Sequence, residues 1–190
     1  MVHATPYLFL DTETGGLDPA HYSLLSIGVV VGQGAQVIDQ AEFLVKHEPY
    51  IVSAGGMEVN GIDLVAHNKM AQDPKATIES LKGFLSKHFQ LGFRPILVGH
   101  NIAFDRAYLS VLLASNDQKI EQWFSHRSID THSIAAALKD AGRIPVEVQL
   151  SSSGLFDHFG ISIPEGQRHT AMADAVATFQ LYWKMVELAR

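Results

Sequence analysis

Apolar positions fall into short runs in the first half of the chain and into helical stripes further on. Tyr7 to Leu10 is a short apolar run that ends at an acid, and it predicts a strand. Ser23 to Val31, SLLSIGVVV, is apolar almost throughout, as befits a central strand covered on both faces. Gly32-Gln33-Gly34 marks a turn. The alternation from Val37 through Ala41 and Phe43 to Val45 then predicts a hairpin with a half-exposed third strand. Residues 49–68 hold no sustained period and predict at most short helices.

Asp73-Pro74 opens a helix, with Asp as the cap and Pro at the first helical position, and Ile78, Leu81, Leu85 and Phe89 form its apolar stripe. Pro95 to Gly99 predicts a fourth strand. His100-Asn101 forms a corner, and a helix follows that carries Phe104, Tyr108, Val111 and Leu112. A short strand is expected at 127–129, an alanine-rich helix from Asp130 or Thr131 to before Gly142, and a short helix from Ser151 to Phe159 closed by Gly160. The last helix starts near Thr170 on the stripe Met172, Val176, Phe179, Trp183 and Val186. Strands first, then strands alternating with helices, predict an α/β fold with a mixed sheet flanked by helices.

The 190 residues suit one domain, taken as 1–190, and 47% hydrophobic content suits a globular chain. No cysteine is present, which excludes disulfides and thiolate zinc sites and is compatible with a cytoplasmic location. The opening MVHATPYLFLD has no basic lead, and no segment has the length and apolarity of a membrane span. A net charge of −6 gives no bulk attraction for a polyanion.

The acids change that picture. Asp11 and Glu13 are two apart, so on an extended strand they share a face and repel each other. They could lie in a solvated loop after the strand, but the glycines of Thr14-Gly15-Gly16 allow close backbone approach to a ligand. Asp105, in GHNIAFD, could be a first-turn acid of a helix capped by Asn101. Asp174 has small or apolar neighbours, and His169 precedes its helix. Strand ends and adjoining loops are where sites gather in open sheets. Four carboxylates converging there without cysteine favour a hard cation, Mg²⁺ or Mn²⁺. A pair of such ions is the usual arrangement for phosphodiester cleavage. Neutralising the four acids would take the net charge from −6 to −2, so the acidic balance is compatible with a polyanionic substrate.

The segments LDTETGGL, GHNIAFD and HTAMAD, in that order and at wide spacing, resemble the DEDDh family of 3′–5′ exonucleases, which includes polymerase proofreading subunits, ribonuclease T and oligoribonuclease. The resemblance covers nearly the whole chain and implies a ribonuclease H-like mixed sheet of about five strands. It also implies two divalent ions. Asp11 would bridge both, Glu13 and Asp174 would complete the first, and Asp105 would hold the second. His169 would be the general base. Thr14, Gly15, Leu17 and Asn101 would lie along the bound terminal nucleotide. Two departures bear on substrate: Asn60 of EVNGI stands where many relatives carry His, and Ser26 where Glu is frequent. Asp130 of SIDTHSIA also matches a family position, and is expected to be a helix cap.

The implied activity is hydrolysis of single-stranded DNA or RNA from its 3′ end to nucleoside 5′-monophosphates. A noncatalytic nucleic-acid or polymerase-binding module on the same fold, or a phosphodiesterase for very short oligonucleotides, are the alternatives. A polymerase partner or a homodimer is compatible with the resemblance, and a membrane partner is not expected.

Overall fold

The computed structural model describes residues 6–164 and 170–190. Its frame is a five-stranded sheet in the order β3-β2-β1-β4-β5. β1 (Tyr7–Thr14), β2 (Leu24–Gln33) and β3 (Gln36–Leu44) form an antiparallel meander, and β4 (Leu97–Gly99) and β5 (Ser128–Asp130) continue it in parallel from β1. The mixed sheet is the one the strand-first pattern predicts.

Alternation along β1 assigns its two faces. Leu8 and Leu10 enter a core shared with Ile27, Val29 and Val31 of β2, α3 (Pro74–His88) and α4 (Ala103–Ala114). Phe9 enters a second core with Val30 and Val98 under α8 (Ala171–Leu188). Burying a side chain of this size contributes about 1.5–3 kcal/mol. Between β3 and α3 lie α1 (Ala54–Asn60) and α2 (Leu64–Met70), and α5 (Ile120–Trp123) precedes β5. After β5 come α6 (Thr131–Asp140) and α7 (Ser152–His158), which cover the outer side of α8.

Several expectations need correction. β1 runs on to Thr14 instead of stopping at Leu10, because Asp11, Thr12 and Glu13 stay paired with Gly28, Ile27 and Ser26. Asp11 and Glu13 are therefore strand residues and not part of a loop. α4 is not capped by Asn101: its N-cap is Ile102, with no side-chain capping bond, and Asn101 is a corner residue with φ of 58°. Val111 faces outward at 43% exposure. α8 is buried on more than one stripe. Ala175, Phe179 and Tyr182 meet the sheet while Ala177, Leu181 and Met185 meet α6 and α7. A stripe read at one helical period captures only the first of these contacts. The Ile120–Trp123 turn was too short to show a period at all.

Candidate metal centre and cleft

The acids meet because of one glycine. Gly28 of β2 is the cross-strand partner of Asp11, so both point to the α8 face. A Cβ on Gly28 would run into the backbone of Ala171 at the start of α8. The missing side chain lets that helix end sit directly on the sheet beside Asp11. Thr170 caps α8, accepting from the Ala173 N–H at 3.3 Å, and Asp174 falls in the first turn, where the helix dipole favours an anion.

Asp11, Glu13 and Asp174 consequently each offer a carboxylate oxygen within 4.8 Å of the others. Asp11 and Asp174 are partly exposed, and Glu13 is buried at 8%. Three hard oxygen donors converging at this range fit a divalent cation such as Mg²⁺, whose octahedral shell takes carboxylates and water.

Asp105 arrives from the other side of the strand. Thr12 points away from Asp11 and Glu13, into the α4 side of the sheet, and its hydroxyl donates to Asp105 Oδ1 at 2.8 Å. Asp105 is 4% exposed and stands outside the three-acid group. Burial pushes its carboxyl up to about 7, against the opposing pull of the Thr12 hydroxyl. A nearby cation would restore the ionised form. Asp130 is the cap of α6, as expected from sequence. It accepts from the N–H groups of His132 and Ser133, and also from the backbone N–H of Asn101 at 2.7 Å. His169 lies outside the described residues.

Beside the three acids is a cleft of about 430 Å³, whose walls include Glu13, Thr14, Leu17, Val59, Asn60 and Phe104. Leu17 and Val59 are 84% and 62% exposed. Of the residues expected along the substrate, Thr14 and Leu17 line this cleft. Gly15 lies in the same turn, against Ile51 and Val52, and Asn101 does not line it. Val59, Asn60 and Phe104 were not among the expected site residues. The only sequence signals for them were the Asn60 departure and the position of Phe104 next to Asp105.

Residues 8–182 match the RNase T exonuclease family. The chain is 29% identical over 189 residues to the PolC-type DNA polymerase III of Thermotoga maritima, covering 97% of this chain and 12% of that protein. It is 27% identical over 182 residues to the PolC-type enzyme of Oceanobacillus iheyensis, covering 95% of this chain and 11% of that one. The chain therefore spans about one eighth of the length of these relatives. In fold it superposes on the zinc-bound E. coli ExoI–ssDNA complex with a TM-score of 0.81 at 18% identity, covering 98% of this chain and 41% of the other. It superposes on the nuclease domain of 3′hExo, a DEDDh family member bound to rAMP, with a TM-score of 0.77 at 13% identity, covering 98% and 94%.

Proposed function

The chain belongs to the DEDDh-type 3′–5′ exonuclease family, and we propose that it hydrolyses single-stranded nucleic acid from the 3′ end, releasing nucleoside 5′-monophosphates. The observation that carries this reading is the convergence of Asp11, Glu13 and Asp174 on one point at the edge of an apolar-walled cleft. In this reading Asp11, Glu13 and Asp174 would hold one divalent cation, and Asp105 would help hold a second. Two Mg²⁺ or Mn²⁺ ions bound there supply Lewis acidity at the scissile phosphate and offset the carboxylate charge.

The chain's own residues do the rest. Thr14, Gly15 and Leu17 lie along the terminal nucleotide, with Val59 and Phe104 across the cleft. Asn101, at the β4–α4 corner and outside the cleft wall, would meet the substrate only beyond that cleft. His169 takes the proton of the attacking water, a role that requires the neutral imidazole. The whole of 1–190 acts as one exonuclease unit. The PolC-type relatives are DNA polymerases, and ExoI is seen with ssDNA, which supports a DNA 3′ end as substrate and a polymerase as partner. The rAMP bound to 3′hExo keeps RNA in the comparison. A cytoplasmic location is the one we assign, compatible with the cysteine-free sequence; among the described residues no helix is long and apolar enough to cross a membrane.

The test is degradation of 5′-labelled DNA and RNA of several lengths, with Mg²⁺, Mn²⁺ or chelator, for wild type and His169→Ala. A ladder shortening from the 3′ end only with metal, and a maximal rate roughly 10²–10⁴-fold lower in His169→Ala, is expected. Cutting of a circular single strand, or activity in chelator, would overturn the reading.

A further inference from the structure

Three consecutive carbonyls at the end of β1 are each held by a donor from another element. Thr14 O accepts from Asn60 Nδ2 at 3.1 Å. Gly15 O accepts from both the N–H and the hydroxyl of Ser53, at 2.6 and 2.9 Å. Gly16 O accepts from the Tyr108 hydroxyl at 2.7 Å and from Thr14 Oγ1 at 2.8 Å. The Asn60 amide has one possible orientation, since its Oδ1 accepts from the Ile62 N–H at 3.0 Å and its nitrogen must then face Thr14 O. Asn60 is 8% exposed and Tyr108 1%, so both donors are largely shielded from water. The turn is also pressed against α1: a Cβ on Gly56 would stand 2.6 Å from Gly15 O.

A turn fixed at three successive carbonyls ends in a side chain, Leu17, that is 84% exposed. Leu17 stands in the cleft with Val59 and Phe104. Resting on the exonuclease reading, we propose that Asn60 and Tyr108 are positioning residues for the 3′-terminal nucleotide, holding the Thr14–Leu17 turn in its bound shape before substrate arrives. Asn60 ties the turn to the end of α1. Tyr108 ties it to α4, three residues after Asp105, so the turn and that acid keep one mutual placement. With either donor gone, ordering the turn becomes part of the cost of binding, and the loss appears in KM.

The experiment is steady-state degradation of a 5′-labelled single-stranded oligonucleotide at saturating Mg²⁺ by wild type, Tyr108→Phe, Asn60→Asp and Asn60→His. Tyr108→Phe removes one oxygen and keeps the ring packing. Asn60→Asp keeps the acceptor for Ile62 and removes the donor for Thr14. Each should raise KM roughly 5- to 50-fold, the scale of one buried hydrogen bond, with kcat changed less than about threefold. Asn60→His, whose Nδ1–H falls near the place of the amide nitrogen, should recover much of the KM. Titration of a nucleoside 5′-monophosphate in Mg²⁺ should weaken by a similar factor, while the metal-induced shift in Tm stays at the wild-type value. If Asn60→Asp fails to fold, Tyr108→Phe decides. An unchanged KM in Tyr108→Phe or Asn60→Asp, or a loss confined to kcat, overturns the positioning role while the exonuclease reading stands. A wild type without nuclease activity overturns the exonuclease reading and this one with it.

Discussion

Asp105 and the three-acid group lie on opposite sides of one strand and meet different physics. On the α8 side, Asp11, Glu13 and Asp174 converge at a half-open point, where a cation and its water can enter. On the α4 side, Asp105 is buried beneath the strand end, with the Thr12 hydroxyl as its hydrogen-bond donor. For Asp105 the cost of ionisation is desolvation, the first-order cause of its raised pKa, whereas the three acids stand close enough to share one cation. A carboxylate set can therefore combine a ready side with a latent one, in which a nearby cation helps the buried member to carry its charge.

The sharpest way to break the comparison is to remove a member of the ready side. Asp11→Asn or Asp174→Asn should lower activity by roughly 10³-fold or more and abolish the Mg²⁺-induced rise in Tm. Asp157→Asn, on α7 and away from the strand end, should retain both. Near wild-type turnover in either ligand variant at saturating Mg²⁺ would remove that residue from the set.

Titration isolates the latent side. The folded-state pKa of Asp105 is about 7 against an ordinary value near 3.8, so the fold favours its protonated form. Its contribution is intact below the ordinary value and is lost as pH rises toward and through 7. In chelator the penalty is fully developed once the pH is above that value. Asp105→Asn should thus stabilise the metal-free protein at pH 8, change it little at pH 4, and reduce activity. Chemical denaturation across pH with EDTA measures this. An Asp105→Asn effect that does not vary with pH would mean that the carboxyl is not the group held back by burial.

Gly28→Ala tests what joins α8 to the acids, with a smaller effect. The added methyl meets the Ala171 backbone, which cannot yield as a side-chain tip would. A loss of about 1–3 kcal/mol in stability is expected, the usual range for overpacking. Activity should fall further than this loss accounts for, because Asp174 is moved away from Asp11 and Glu13. Wild-type stability with wild-type activity would show that α8 does not need the close approach.

Local pattern was enough for the meander, the capped helices and the acids themselves. Strand alternation already put Asp11 and Glu13 on one face, and Asp73, Asp130 and Thr170 cap helices where their side chains predict. Spacing and residue type, both local properties, determined that much, together with the family resemblance of three short motifs. Tertiary structure alone decided three things. β1 runs on through Thr14 because its neighbour strand keeps pairing. Asp174 comes within 4.8 Å of acids some 160 positions earlier because Gly28 has no side chain to hold α8 away. Asp105 and Asn60 acquire their settings from Thr12 and Thr14, on a strand distant in sequence from both. The physical reason is common to all three: a periodicity shows which face a side chain occupies, whereas the distance between faces is set by what packs against them.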